Sequence, residues 1–294
     1  MTPTDPRAQA APLLDDAQTD RLAEVLRSPF EVLPQIPSTN DELVERAQRA
    51  ARRGQPLPDL SLLAAEHQSA GRGRLDRKWV TGPGDALTFS LLLRPAHGSG
   101  PTAAPLPTQS FPWLTVLLAA AIAQTLRAQG IEASLKWPND VLVETGSGFR
   151  KICGVLASLV VHDGSAPALV LGAGLNVAVA PEGAASVRGE GSEASRGDLL
   201  VEIAERFTAL YRLFAESPES LTGPGELRAA VEQLLSTLGR RVRAELPGGQ
   251  APIEGVAVGL DERGALLIDH DGGRTAVSAA DVVHLRPIEE GDRA

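Results

Sequence analysis

Residues 111–129 form a strongly apolar run closed by Gly130. A helix with so little polar surface has to be covered on most sides, so this stretch predicts the main core helix around which the chain must be layered. What remains to cover it is mostly strand-like. Residues 60–66, 86–93, 151–161 and 168–177 are short apolar runs bounded by Gly, Pro or Ser, and 135–143 reads as strand, proline-punctuated turn, strand. The short links among them imply antiparallel neighbours. Further helices are expected over 20–27, 198–216 and 226–238, with a strand at residues 30–33.

A further helix begins near Ser38-Thr39-Asn40-Asp41-Glu42. Thr39 with Glu42 fits a capping box, Leu43, Val44, Ala47 and Ala50 give the stripe, and Gly54 stops it. Either this is simply a capped helix, or Ser38, Thr39 and Asn40 turn hydrogen-bonding groups toward a small polar ligand. From about Gly239 the pattern becomes short strands (241–245, 253–260, 265–269, 274–278, 282–285) between Gly-rich turns. Three segments follow: a disordered Pro/Ala/Gln/Asp-rich tail at 1–19, a mixed α+β domain at 20–238 and a small β-barrel at 239–294. The stretches 97–109 and 181–197 read as loops.

The sharpest local feature is Gly71-Arg72-Gly73-Arg74-Leu75-Asp76-Arg77-Lys78-Trp79. It packs four cations, two glycines and an indole into nine residues of a chain whose net charge is −9. Such a segment cannot be core. It is either a solvated loop or one that folds over an anion, where arginine forks suit phosphate or carboxylate. The chain keeps only three lysines (Lys78, Lys136, Lys151) and three asparagines (Asn40, Asn139, Asn176), and they cluster in motif-like segments. Where arginine serves nearly everywhere else, a surviving lysine points to a need for a compact point charge. One cysteine excludes an internal disulfide, and five scattered histidines give no metal-ligand spacing. The acidic balance argues against a nucleic-acid binder. No stretch reads as a membrane span, and the start lacks the build of a signal peptide, so a cytoplasmic protein is expected. No P-loop occurs, and Gly172-Ala173-Gly174 lacks the third glycine and acidic residue of a dinucleotide site.

Taken in order, Ser38-Thr39-Asn40, Gln68 with the Gly71 to Trp79 loop, Lys136-Trp137-Pro138-Asn139-Asp140, Lys151 with Gly154, and Gly172-Ala173-Gly174-Leu175-Asn176 resemble the biotin protein ligases in sequence and spacing, across roughly residues 30–288. The resemblance implies a class II synthetase-like, largely antiparallel α+β fold with a C-terminal SH3-like barrel. It also implies a two-step reaction: biotin and ATP, with Mg²⁺, give biotinyl-5′-adenylate, and the biotinyl group passes to a lysine of a biotin carboxyl carrier protein. By matching motif positions, Lys151 would bind the carboxylate and the reacting phosphoryl oxygens, and Arg72 and Arg74 would hold the adenylate phosphate as the loop closes. Ser38, Thr39 and Gln68 would pair with the ureido ring, with Asn40, Gly71, Gly73 and Gly154 at the biotin site. Trp79 would wall the adenine, and Lys136 would add a cation. Asn139 and Asn176 would contact nucleotide or metal, and Asp140 would position the acceptor lysine or a metal. Leu75 and Asp76 depart from the family's usual loop, which has arginine or a similar residue and glycine there. The resemblance leaves a homodimer open. Cys153 and Trp113 are expected in the core. A lipoate or octanoate ligase shares the fold, but the cationic loop with Lys-Trp-Pro-Asn-Asp favours biotin. A repressor using biotinyl-adenylate needs a helix-turn-helix segment, for which the 37 residues before Ser38 leave little room.

Overall fold

A computed structural model of the chain describes residues 12–75, 77–95, 105–146, 148–161 and 166–287. Its strands are β1 (Phe30–Leu33), β2 (Ser61–Ala65), the two-residue pair β3 (Gly71–Arg72) and β4 (Lys78–Trp79), β5 (Ala86–Leu93), β6 (Ala133–Lys136), β7 (Asp140–Thr145), β8 (Gly148–Val160) and β9 (Ala168–Asn176). Apart from β3 and β4, these form one seven-stranded sheet in the order β1-β2-β5-β9-β8-β7-β6. β1 and β2 run parallel and the other neighbours antiparallel, so the sheet is mixed and largely antiparallel as expected. β5 and β9 lie at the centre and are buried at every position, which is why they read as predominantly apolar runs.

Alternation along β2 shows how the layers are built. Leu62 and Ala64 face the main core, while Leu63 and Ala65 face a smaller cluster with Leu43 and Ala47 of α2 (Thr39–Arg52). The main core is filled by α3 (Phe111–Ala128), packed against α4 (Arg196–Glu216). By length and composition, residues 108–128 could cross a membrane, which corrects the reading that no stretch qualifies. In the fold α3 is the central core helix, with Leu114, Leu117, Leu118 and Ile122 fully buried.

Three expectations need revision. Residues 1–11 lie outside the described residues, but the chain is already packed at Leu13, whose N–H donates to Glu66 Oε1 at 2.6 Å. Helix α1 (Asp16–Leu26) then starts on a reciprocal capping box between Asp15 and Gln18. At the second helix Ser38, not Thr39, is the N-cap, its Oγ accepting from Asp41 N–H at 3.3 Å. The helix expected over 226–238 stops early. After α5 (Glu219–Thr222), α6 covers only Glu226–Glu232, and the chain then pairs with the edge strand β6. Leu135 N–H donates to Leu234 O at 2.7 Å, and Ser236 N–H to Leu135 O at 2.9 Å. The unpaired backbone groups of an edge strand outweigh another helical turn.

The C-terminal sheet has the order β13-β12-β11-β10-β14, from β10 (Arg241–Glu245), β11 (Ile253–Leu260), β12 (Leu266–His270), β13 (Gly273–Val277) and β14 (His284–Pro287). Two buried indoles fasten this SH3-like unit to the larger domain. Trp113 Nε1 donates to Glu262 O and Trp137 Nε1 to Gly264 O, both at 3.1 Å. Both acceptors lie in the turn between β11 and β12, where Gly264 adopts φ +77°.

Candidate active site

A cavity of about 290 Å³ opens on the α2 side of the sheet, floored by β8 and β9 and bounded by the α2 N-terminus and the β3–β4 flap. Ser38, Thr39, Asn40, Gln68, Arg72, Gly73, Arg74, Trp79, Asn139, Asp140, Lys151, Gly154 and Asn176 all line it. Of the expected residues, Gly71 and Lys136 do not.

A backbone irregularity places Lys151. Asp140 pairs with Gly154 and Val141 with Cys153, but Leu142 pairs with Lys151, so Ile152 is an extra residue. In a regular strand Lys151 and Gly154, three apart, would face opposite sides. The bulge brings Lys151 round to the side of Asp140 and Gly154 while Ile152 and Cys153 both stay buried. Lys151 Nζ then lies 2.6 Å from Asp140 Oδ1 and 5.9 Å from the centre of the Trp79 ring. A Cβ on Gly154 would stand 2.9 Å from that ammonium nitrogen, so glycine leaves the lysine room to lie over the sheet. Burial pushes the neighbouring Cys153 thiol up to about 12, an inert core position.

At the opposite end the groups are buried and mutually bonded. Gln68 Oε1 accepts from Thr39 N–H at 2.7 Å and from Thr39 Oγ1 at 3.0 Å. Asn40 Oδ1 accepts from Ser158 Oγ at 2.6 Å and its Nδ2 donates to Leu156 O at 3.3 Å, so it braces α2 against β8. Ser158 was not foreseen; nothing in an apolar strand run marks one serine as a brace.

The flap covers the middle. Trp79 lies on the cross-strand glycine pair Gly154 and Gly174, and a Cβ at Gly174 would reach within 2.5 Å of the indole Cε2. Gly71 serves the flap from beneath, since a side chain there would strike the Trp79 carbonyl and stand 3.0 Å from Gln68 Nε2. Arg72 pairs with Asp41 at 3.1 Å. Arg74 reaches the C-terminal unit, its Nη2 donating to Ala279 O at 2.5 Å and Val282 O at 3.0 Å, with Nη1 3.3 Å from Asn139 Oδ1. Arg77 likewise donates to Val283 O at 3.3 Å. Burial lowers the Arg74 pKa, with Asp140 opposing and Arg77 adding to the shift. Asp76 lies outside the described residues.

The asparagines differ from each other. Asn139 Nδ2 donates to Val155 O at 2.8 Å, which leaves its Oδ1 toward Arg74 Nη1. Asn176 Nδ2 donates to Ala185 O at 3.0 Å, whereas its buried Oδ1 has no partner among the described residues. The 181–187 stretch, read as low-complexity loop, is strapped beside this site: Ala185 N–H donates to Lys151 O at 2.9 Å, and Pro181 and Ala184 line the cavity. Lys136 faces a second cavity of about 910 Å³, between β7–β8 and the C-terminal unit. Asp140 and Lys151 border both cavities and form the wall between them. Burial lowers the Lys136 pKa; Asp140 opposes this, and Lys151, Arg77 and Arg286 add to it.

Residues 32–176 match the biotin/lipoate A/B protein ligase family, and 237–285 match the biotin protein ligase C-terminal domain. A biotin–[acetyl-CoA-carboxylase] ligase of Mycobacterium tuberculosis is 35% identical over 265 residues, covering 87% of this chain and 89% of that protein. The bifunctional ligase/repressor BirA of Escherichia coli is 30% identical, covering 82% of this chain and 69% of the relative. Among solved structures, the Aquifex aeolicus biotin protein ligase in complex with biotin and ATP aligns with a TM-score of 0.67 at 27% identity, covering 88% of this chain and 99% of that one. The chain belongs to the biotin protein ligase family.

Proposed function

We propose that this protein is an ATP-dependent biotin protein ligase that makes biotinyl-5′-adenylate and passes the biotinyl group to a lysine of a biotin carboxyl carrier protein. The observation that carries the reading is the bulge-borne Lys151, held by Asp140 over a glycine floor in a cavity whose far end offers the amide of Gln68. In the first step a biotin carboxylate oxygen bonds to the α-phosphorus of ATP while the bond from that phosphorus to the bridging oxygen breaks, releasing pyrophosphate. Two anions must meet, so fixed positive charge has to be present at the meeting point beforehand. The Lys151 ammonium has three donors, and Asp140 occupies one direction while leaving others for the incoming carboxylate and a phosphoryl oxygen. In the second step the carrier amine attacks the acyl carbon and AMP leaves.

The polar far end favours biotin over a lipoyl group. A ureido ring offers an acceptor to the Gln68 Nε2 donors and donors to the Ser38 and Thr39 oxygens, whereas a dithiolane would give the Gln68 Nε2 donors nothing to bond. Trp79 walls the nucleotide side, and Arg72 and Arg74 contribute charge when they exchange their present partners for phosphate. Mg²⁺ would be held through Asp140 and Asn176 Oδ1, which has no partner among the described residues, and it would neutralise phosphate charge. We place the reaction in the cytoplasm, where ATP is at hand and a lone buried thiol needs no partner. The test is biotin-dependent ATP–pyrophosphate exchange with the parent and Lys151→Ala. Exchange that depends on lipoate instead, or that survives intact in Lys151→Ala, defeats the reading.

A further inference from the structure

Ser90 sits in the middle of β5, in the run Leu87-Thr88-Phe89-Ser90-Leu91-Leu92-Leu93, and is fully buried. Its cross-strand partners are Leu63 on β2 and Gly172 on β9, and it does not line the cavity. A hydroxyl in such a place costs stability unless it is bonded. Its partner is Thr39: the two hydroxyl oxygens lie 2.9 Å apart.

The direction of the protons follows from the neighbours. Thr39 N–H can only donate, so the Gln68 atom 2.7 Å from it must be the amide oxygen. The Thr39 hydroxyl is 3.0 Å from that same oxygen, which can only accept, so the Thr39 proton is spent there. Ser90 must therefore donate to Thr39. The result is a one-way relay from Ser90 Oγ–H to Thr39 Oγ1–H to Gln68 Oε1. Together with the Thr39 N–H it holds the Gln68 amide with its oxygen turned toward α2 and its Nε2 donors left for the cavity. No acceptor for Nε2 occurs among the described residues, and Gly71 lacks the side chain that would crowd it. Gly172 gives the relay its space, since a Cβ there would stand 3.2 Å from Ser90 Oγ and 2.9 Å from Asn40 Nδ2.

We propose that Ser90 is a positioning residue for biotin recognition: from inside the sheet it commits the Thr39 hydroxyl proton to Gln68 Oε1, reinforcing the Thr39 N–H bond that turns the amide's donors toward the ureido oxygen. This rests on the biotin-site reading above. The Thr39 N–H already selects the amide oxygen; the relay adds a second donor to it, so the donor face is held by two bonds instead of one.

A double-mutant cycle tests it. Ser90→Ala raises the KM for biotin about threefold to tenfold, the scale of one neutral hydrogen bond, and leaves the KM for ATP unmoved. Ser90→Thr, which keeps the donor, restores the parent value. In a Gln68→Ala background, Ser90→Ala adds nothing further, because its effect runs through the missing amide. Equal increments in both backgrounds, or a parallel rise in the KM for ATP, would show Ser90 to be plain scaffolding and overturn the proposal. Should Ser90→Ala not fold, Ser90→Cys, with a weaker donor of similar shape, takes its place in the same cycle with an intermediate rise expected. A Gln68→Ala enzyme with parental biotin KM would instead defeat the site assignment on which the relay depends.

Discussion

The two ends of the cavity are built on opposite principles. At the α2 end Thr39, Gln68 and Ser90 are bonded to one another and Asn40 to Ser158, and four of the five are almost fully buried. At the other end the cations rest on partners they can give up. Lys151 lies on Asp140, Arg72 on Asp41, and Arg74 on carbonyls of the C-terminal unit. A recognition site gains from having its ordering cost met during folding, because binding then costs less. A reacting site has to admit charged groups and let a product go, so its ion pairs must be exchangeable, and half-exposed pairs hold only weakly. One end selects and the other reacts.

The strongest challenge to that division is Lys151→Ala. It should lower biotin-dependent exchange about 100- to 1,000-fold with little change in thermal midpoint, since a half-exposed lysine adds little to stability. A parallel pair of glycine substitutions tests the same split. Gly174→Ala drives a Cβ toward the Trp79 indole, and we expect activity to fall about tenfold to a hundredfold, with the thermal midpoint nearly kept because the flap can lift away. Gly172→Ala presses on Asn40 and Ser90 inside the locked end, so thermal stability should drop instead. If both glycine variants lose activity and stability in the same proportion, the two ends are not distinct.

Arg74→Ala addresses the link between flap and C-terminal unit. Charge-assisted bonds to Ala279 O and Val282 O would be lost, worth roughly 1.5–3 kcal/mol each when well formed, less here because Arg74 is only partly enclosed. We expect a midpoint lowered by a few degrees and adenylate escaping into solution about tenfold faster, read as AMP formed without carrier. Retention of the adenylate equal to the parent would leave Arg74 as a strut alone.

Much of this was legible in the residues. The apolar run at 111–129 had to be core, and β5 and β9 announced themselves as predominantly apolar strands. The ordered motifs gathered nearly all of the lining. What escaped was whatever depends on one extra residue or on an edge. The Ile152 bulge leaves no mark in a run that reads Lys-Ile-Cys-Gly-Val, yet it decides which way Lys151 faces. The 233–238 stretch keeps a helical composition, and only the nearby open edge of β6 pulls it into pairing. The Asp15-x-x-Gln18 box was readable but hidden inside a segment whose composition suggested disorder. Arg72 and Arg74 stood out as cations, but a sequence shows no trace of the carboxylate and carbonyls that hold them.

Lys136 gives the smallest and most discriminating effect. It pairs with Asp140 at the β6–β7 turn and faces the second cavity, on the far side of the Lys151–Asp140 wall. Burial, with Lys151, Arg77 and Arg286 nearby, lowers its pKa from the ordinary 10.5 despite the pull of Asp140. The unfolded chain therefore binds this proton more tightly than the folded one does. The resulting penalty is fully present below the folded pKa, shrinks as pH rises through the window above it, and is gone beyond 10.5. Lys136→Met removes the penalty and keeps the length of the side chain. Urea midpoints should thus rise relative to the parent at pH 7, and the gain should fade toward pH 10.5. If the cation is kept for the phosphate chemistry, the same variant should lose activity by a factor of about three to ten, mainly in the KM for ATP. A protein that becomes more stable and less active on losing one lysine would place Lys136 at the reacting end. One that loses stability with the charge would place it with the locked residues, and the division between the two ends would have to be redrawn.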